Sequence, residues 1–182
     1  MNGDKDMIKK SEEQQQKNEM KILDELQNNS QVSSETIAQR YGLSKQEVLR
    51  IVKKLEERHI IWGYTAIIDK EKMNRKQFMV FIKRTNKPLD ENLINKIDSM
   101  MLEDIALPLG VSIESSYFVH GNYEWIICFI AQDINQAKKF CDTLNREFPG
   151  IIQEFCLQQV LYCVRDHFIF NPDRKKLRDL MG

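Results

Sequence analysis

The chain has 182 residues with 27 basic and 27 acidic side chains, which gives a formal net charge of zero. That balance excludes a protein that coats nucleic acid through its overall charge, so any nucleic-acid surface must be local. Residues 1–18 are polar and unlike a signal peptide, and no apolar run approaches the roughly 20 residues that span a bilayer. We therefore expect a soluble, cytoplasmic protein with one large domain or two small ones.

The chain begins with an arm, residues 1–18, that is rich in Lys, Glu, Gln and Asn. This composition predicts either disorder or a fraying helical extension. Residues 19–29 then carry apolar side chains at helical spacing, namely Met20, Ile22, Leu23 and Leu26. They predict the first helix of a helical domain that spans residues 19–63.

Residues 33–59 predict two helices that are joined by a tight turn around Gly42. Ser33 is placed to cap the first helix, and Gly42 suits the left-handed conformation in which many helices end. Ser44 is placed to cap the second helix, and Glu47 three residues later completes a capping box. A turn this short makes the helices pack at a steep angle, which is the helix-turn-helix arrangement.

The second of these helices has two faces of different character. Its apolar residues cluster on one side at about 100° per residue, and they are Val48, Ile51, Val52 and Leu55. On the opposite side Gln46, Arg50 and Lys53 form a line that we call the recognition ridge. Arg can pair with guanine, Gln with adenine, and Lys with phosphate or guanine. The predicted DNA-binding set adds the flanking residues and comprises Ser44, Lys45, Gln46, Arg50, Lys53 and Lys54; an ordinary solvated helix face is the alternative.

Residues 60–69, with the sequence IIWGYTAIID, are rich in β-branched and aromatic residues. They predict a strand that leaves the helical domain. The following residues up to 76 are charged and lack periodicity. We therefore place a hinge strand and a linker over residues 64–76.

Residues 77–166 predict a second domain with a different pattern. Strands are expected at residues 77–85, 111–120, 123–131 and 151–164, with helices at residues 89–102 and 134–148 and a hairpin turn at Gly121 and Asn122. Pro88 or Asp90 starts the first of these helices, whose apolar face includes Met100 and Met101. This order is the ferredoxin-like βαββαβ arrangement, so we predict an α+β fold. Its helices cover one face of the sheet, and we expect a second copy of the chain to cover the other.

Residues 167–182 form a basic tail in which Asn171 and Pro172 are placed to start a short helix. The charged residues of this helix are Arg174, Lys175, Lys176 and Arg178. They could touch DNA or another anionic partner, but a solvated helix is the interpretation that we favour.

A helix-turn-helix, a GYTA-containing segment and a ferredoxin-like domain in this order resemble the Lrp/AsnC family, the leucine-responsive and asparagine-synthesis regulators. The matching stretches are ILDEL (22–26), YGLS (41–44), LRIVKKLE (49–56), IIWGYTAIID (60–69), VHGNYEW (119–125) and FPGI (148–151). The resemblance implies a transcriptional regulator that binds promoter DNA as a homodimer, often assembled into tetramers or octamers. In that family a small effector, commonly an amino acid, lodges between dimers near the hairpin.

The resemblance also indicates an effector site at this hairpin, formed by Gly121, Asn122, Tyr123 and Glu124. Asn122 replaces the acidic residue that usually follows the glycine in the family, while Glu124 keeps one carboxylate at the turn. A carboxylate that faces the ammonium group of an amino acid is physically sensible. A routine solvated turn is the alternative interpretation.

No cluster in the sequence indicates a metal, a cofactor or a catalytic residue. His59, His120 and His167 are far apart, and the four cysteines show no CxxC spacing. The sequence also lacks the GxGxxG, GxxxxGK[ST] and GxSxG patterns of nucleotide-binding proteins and serine hydrolases.

An enzyme on the same two-domain plan is the alternative function, because the siroheme decarboxylases look similar to this family. Those enzymes rely on His and Arg residues around a large pocket and have little use for a basic ridge on a helix. The recognition ridge therefore favours a regulator over an enzyme.

Overall fold

The computed structural model describes residues 2–99, 102–173 and 175–181 and divides the chain into two compact units. The helical unit comprises Met1–Ile67 and Val164–Arg178, and the sheet unit comprises Ile68–Cys163 and Asp179–Gly182. The predicted α+β class is confirmed, since a helix-turn-helix precedes a four-stranded antiparallel sheet with helices.

The helical unit begins with α1 (Asn2–Asn28), which joins the predicted arm and the predicted first helix into one continuous helix. The helical alternative for the arm is therefore the correct one, while Met1 lies outside the described residues. The next helices are α2 (Ser34–Tyr41) and α3 (Lys45–Glu57).

The predicted caps of α2 and α3 are confirmed in detail. The backbone N–H of Thr36 donates to Ser33 Oγ over 3.1 Å, and α2 ends at Gly42 with a φ of 66°. In the capping box of α3, the N–H of Glu47 donates to Ser44 Oγ and the N–H of Ser44 donates to Glu47 Oε2, each over 3.1 Å. These bonds satisfy backbone donors that a helix otherwise leaves open, so they fix where α3 begins.

The three helices enclose a small core and are linked by two ionic contacts. The core consists of Ile22, Ile37, Ala38, Val48, Ile51 and Leu55. The Glu25 carboxylate of α1 accepts from the Tyr41 hydroxyl over 2.6 Å and pairs with Arg40 of α2. Glu19 of α1 pairs with Arg58 over 3.0 Å, just beyond α3. These contacts link α1 to α2 and to the residue that follows α3.

The predicted strand over residues 60–69 is absent, because this segment forms no strand ladder in the structure. Most of its large apolar side chains are exposed, Trp62 to 94%, whereas Ile61 is partly buried against the helical core. The composition of a strand is present, but a strand also needs a neighbouring backbone with which to exchange hydrogen bonds.

The sheet unit contains β1 (Lys76–Arg84), β2 (Ser112–Phe118), β3 (Trp125–Ala131) and β4 (Ile152–Gln159), in the order β2-β3-β1-β4. All of its pairings are antiparallel, which confirms the ferredoxin-like arrangement. The helix predicted over residues 89–102 is divided into α4 (Glu91–Ser99) and α5 (Leu102–Ala106), followed by a 3-10 turn at Leu107–Leu109. Asp90 caps α4 by accepting from the N–H of Leu93 over 2.8 Å. Met100 and Met101 lie outside the described residues.

The two faces of this sheet differ in burial. Phe78, Val80 and Ile82 of β1 are fully buried in a core with α6 (Ile134–Glu147), which contributes Phe140 and Leu144. The opposite face, which we call the open face, carries the intervening side chains, including Met79, Phe81, Ile126, Cys128 and Cys156, all of which are partly exposed.

The predicted last strand is too long at its C-terminal end. The N–H of Val160 donates to Gln77 O over 2.9 Å, and Gln77 lies at the start of β1, so the ladder has no further partner strand. The chain then forms a small hairpin from β5 (Arg165–Asp166) and β6 (Ile169–Phe170) and ends in α7 (Lys175–Met181). Arg174 of the predicted tail cluster lies outside the described residues.

Candidate nucleic-acid interface and the hairpin between β2 and β3

The recognition ridge lies on the solvent side of α3. Val48, Ile51 and Leu55 are buried against α1 and α2, as the apolar spacing predicts. Because residues on one helix are separated by about 100°, burial of this face turns Gln46, Arg50 and Lys53 outward, and all of the ridge is exposed. The structure therefore brings the predicted DNA-binding residues to one surface.

Some polar side chains of this surface form ion pairs within the chain, and others do not. Lys45 forms an ion pair with Glu35 of α2, and Lys53 approaches Glu57 one turn later at 3.7 Å. Within the described part of the chain, Gln46 and Arg50 have no hydrogen-bond partner. The two side chains best suited to base edges are thus free of hydrogen bonds to the described residues, although the charge of Arg50 contributes to lowering the pKa of Glu47.

Ser44 has a structural role that limits what it can offer to DNA. Its hydroxyl both accepts from the N–H of Glu47 and lies 3.1 Å from Glu47 Oε2, to which it donates. The hydrogen bond from the backbone N–H of Ser44 and that from its hydroxyl lower the pKa of the Glu47 carboxyl. Ser44 accordingly fixes the start of α3, and both its hydroxyl and its backbone N–H are already engaged by Glu47.

Leu49 is a residue of this surface that the sequence analysis did not single out. It is 49% exposed and follows Gln46 by three residues and precedes Lys53 by four. Residues at these separations are neighbours on a helix surface. A helical projection shows Leu49 beside the ridge, but only the structure shows that about half of its side chain stays exposed.

The hairpin between β2 and β3 is confirmed, but its turn is not the two-residue turn predicted at Gly121 and Asn122. The N–H of Val119 donates to Glu124 O over 2.9 Å, so the loop comprises residues 120–123. Neither Gly121 nor Asn122 has a positive φ. A two-residue turn of the type that favours glycine needs positive φ angles, so the longer loop removes that requirement.

Two of the predicted effector residues are tied into the sheet. Glu124 Oε2 accepts from the backbone N–H of Arg84 at the end of β1 over 2.9 Å. The Tyr123 hydroxyl donates to Glu154 Oε1 over 3.2 Å, and its ring packs edge-on against Phe81 with centroids 5.9 Å apart. Burial, followed by the charge of Glu154, raises the pKa of the Tyr123 hydroxyl. Gly121 and Asn122 are exposed at the loop.

Other kinds of site find little support in the described residues. They contain no group of three or more His, Cys, Asp or Glu side chains arranged to hold a metal ion. Among the helices in the part of the chain that the structure describes, none has the length and apolar character needed to cross a membrane.

Comparison with known proteins agrees with this geometry. Residues 15–61, which include all of α2 and α3, match the family model of the winged helix-turn-helix DNA-binding domain. The leucine-responsive regulatory protein of Haemophilus influenzae is 26% identical over 149 residues, which cover 79% of this chain and 85% of the relative.

Solved structures show the same fold at lower sequence identity. A transcriptional regulator of Neisseria meningitidis in complex with L-Met superposes with a TM-score of 0.61 and 19% identity, covering 87% of this chain and 97% of the neighbour. AsnC of Escherichia coli superposes with a TM-score of 0.60 and 16% identity, covering 84% and 96% of the two chains.

Three features therefore agree, namely a capped helix-turn-helix with an outward polar ridge, a ferredoxin-like sheet in the same order, and matches that extend over both units. The chain therefore contains a winged helix-turn-helix of the DNA-binding kind, is similar in sequence to leucine-responsive regulatory proteins over most of its length, and shares its fold with AsnC.

Proposed function

We propose that the protein binds specific sites in double-stranded DNA by placing α3 in the major groove. The observation that carries this proposal is that Gln46 and Arg50 are exposed, and form no hydrogen bond among the described residues, on a helix whose other face is buried. An α-helix fits the major groove, where base edges present distinct patterns of donors and acceptors. Arg50 is suited to guanine and Gln46 to adenine.

The lysines of the same surface contribute contacts of a different kind. Lys45, Lys53 and Lys54 are exposed and are suited to phosphate groups that hold the helix in register. Lys45 and Lys53 exchange a carboxylate partner for phosphate on binding, since each is paired in the free protein. Binding through such contacts weakens as salt concentration rises, because the DNA releases condensed counterions.

The proposal includes a homodimer that forms through the open face of the sheet. Residues 77–166 supply this dimerisation and effector domain, residues 19–63 supply the DNA-binding domain, and residues 64–76 connect them. Partly exposed apolar side chains such as Met79, Phe81 and Ile126 support an interface, since burial of this surface is favourable. The DNA sites of such a dimer are pseudo-palindromic, with half-sites about 34 Å or a multiple of that apart. Tetramers or octamers are built from such dimers.

An amino acid is the effector that we propose for the hairpin between β2 and β3. The Neisseria meningitidis neighbour was solved with L-Met, which supports this class of ligand. Glu124 offers a carboxylate for the ammonium group, with one oxygen already held by the N–H of Arg84. The effector acts by favouring one assembly of dimers over another, and only its differential affinity for the two assemblies shifts their balance. The protein acts in the cytoplasm, where such an effector and the DNA meet.

The DNA proposal is tested by selecting fragments from a random duplex pool with the full-length protein. We expect enrichment of a pseudo-palindromic sequence, and we expect the double variant Gln46→Ala/Arg50→Ala to lose that enrichment. The control variant Arg146→Ala removes a positive charge from the sheet unit and retains the enrichment. Absence of any selected sequence, together with binding of a coloured tetrapyrrole, would favour an enzyme instead.

The assembly proposal is tested by light scattering and sedimentation with a panel of amino acids. We expect at least a dimer at micromolar concentration and a change of mass with one of the amino acids. Glu124→Gln keeps an oxygen that accepts from the N–H of Arg84 but removes the charge, so this variant loses the response without losing the hairpin. A monomeric mass would reject the dimer, and a wild type that never responds would reject the effector site.

A further inference from the structure

Leu49 lies beside the recognition ridge on α3, and the proposed contacts with DNA give it no role. Its side chain is 49% exposed, and it neighbours Lys45, Gln46 and Lys53 on the helix surface. A single exposed leucine is ordinary on a protein surface, so exposure alone carries no conclusion. Its position in the N-terminal half of α3, between polar residues suited to bases and phosphates, is the informative observation.

The chemistry of the major groove offers one partner for an aliphatic side chain at this position. Thymine carries a C5-methyl group at the groove edge, whereas cytosine and the two purines present polar atoms or hydrogen there. Residues in the N-terminal part of a recognition helix are those that contact base edges in helix-turn-helix complexes. An exposed leucine beside Gln46 therefore fits a methyl group and not a hydrogen-bonding edge.

We infer that Leu49 contacts the C5-methyl group of a thymine and sets the base preference at one position of the DNA site. The inference rests on the proposed function, since it requires that α3 lies in the major groove. Neighbouring side chains at i and i+3 are about 5–6 Å apart, and successive bases along one strand rise by about 3.4 Å. The thymine contacted by Leu49 therefore lies within about two base pairs of the base contacted by Gln46.

The test replaces each thymine of a selected site, one at a time, with deoxyuridine, which lacks only the methyl group. We expect one replacement in each half-site to weaken binding by the wild type about four-fold, which corresponds to one buried methyl-sized group. That position should lie close to the one at which Gln46→Ala relaxes the selected base. The Leu49→Ala variant should bind the thymine and deoxyuridine duplexes equally.

Two comparisons make the result specific to Leu49. Met20→Ala removes a side chain that is 62% exposed on α1, and this variant should keep the wild-type discrimination. Leu49→Ala should also keep the wild-type temperature of thermal unfolding, because about half of the side chain is exposed.

Equal discrimination by the wild type and Leu49→Ala would overturn the inference and leave the proposed DNA binding intact. The inference also fails if no deoxyuridine replacement changes the affinity of the wild type. It fails too if Leu49→Ala changes only the mass of the assembly, because Leu49 would then contact protein instead of DNA. If the wild type selects no sequence at all, the proposed function fails and the inference fails with it.

Discussion

The outward surface of α3 and the hairpin between β2 and β3 both present polar side chains, but those side chains have different surroundings. On α3, Gln46 and Arg50 have no hydrogen-bond partner among the described residues. At the hairpin, Tyr123 is bonded to Glu154 and Glu124 to the backbone of Arg84. A polar group without a hydrogen bond to the described residues is available to a ligand, whereas a hydrogen-bonded one must first release or share its partner.

The largest expected effect is on DNA binding by the Arg50→Ala variant. Loss of the guanidinium should cost about 1–3 kcal/mol of binding free energy and relax the preference at one base position. Titration of a selected duplex at fixed salt measures both. Arg146→Ala is the matched control, because it removes the same charge from α6. Equal affinities of Arg50→Ala and the wild type would remove Arg50 from the interface.

The next effect concerns stability at the hairpin. Glu124→Ala should lower the free energy of unfolding by about 1–2 kcal/mol, because the partly buried N–H of Arg84 loses its acceptor. Glu124→Gln retains an acceptor oxygen and should stay within about 0.5 kcal/mol of the wild type. Urea denaturation measures both variants. A loss in Glu124→Gln as large as that in Glu124→Ala would show that the charge, and not the hydrogen bond, matters there.

A smaller effect is expected at the ion pair between Lys45 and Glu35. Glu35→Gln should strengthen DNA binding slightly, and by less than Arg50→Ala weakens it, since Lys45 no longer exchanges a carboxylate for a phosphate. Glu57→Gln removes the partner of Lys53 and should strengthen DNA binding by a smaller amount, because the charged atoms of that pair are 3.7 Å apart. Affinities for DNA measured at several salt concentrations test whether Glu35→Gln has the larger effect of the two variants. A weaker complex with Glu35→Gln would contradict it.

The smallest expected effect is on stability in acid. The hydrogen bond from Tyr41, with that from Arg40, lowers the pKa of Glu25 in the helical unit. A glutamate whose pKa is lowered by folding stabilises the folded state. This contribution is complete above the pKa of a glutamate in the unfolded chain, about 4.3, and it is lost as the pH falls through the pKa in the folded chain. Glu25→Gln should therefore flatten the acid side of the stability profile, measured by circular dichroism between about pH 7 and pH 3. An unchanged profile would show that the contact makes no net contribution.

Local sequence patterns were sufficient for α3 but not for the hairpin. The caps at Ser33 and Ser44, the end at Gly42 and the apolar face of α3 all depend on residues within one or two turns of each other. The partners of Tyr123 and Glu124 come from β4 and β1, more than thirty residues away in each direction. The register that brings them together is set by the whole sheet, so no local pattern contains it.

The segment 60–69 shows that a local composition can also predict an element that does not form. Its composition is that of a strand, yet no strand forms there because pairing depends on a second backbone. Likewise β4 ends at Gln159, opposite the first residues of β1, although the apolar sequence continues through Val164. Composition predicts where a strand can form, and the presence of a neighbouring strand decides whether it does.

Trp62 and Trp125, the two tryptophans of the chain, lie one in each unit and in opposite surroundings. Trp62 is 94% exposed, whereas Trp125 is 9% exposed and stacks on Phe118 with ring centroids 5.4 Å apart. An indole in water emits at longer wavelength and is open to collisional quenchers such as iodide, while a buried indole is shielded. The protein therefore carries an intrinsic fluorophore for each unit. Iodide quenching separates the two signals, so assembly that covers Trp62 and unfolding that uncovers Trp125 can be followed without any label.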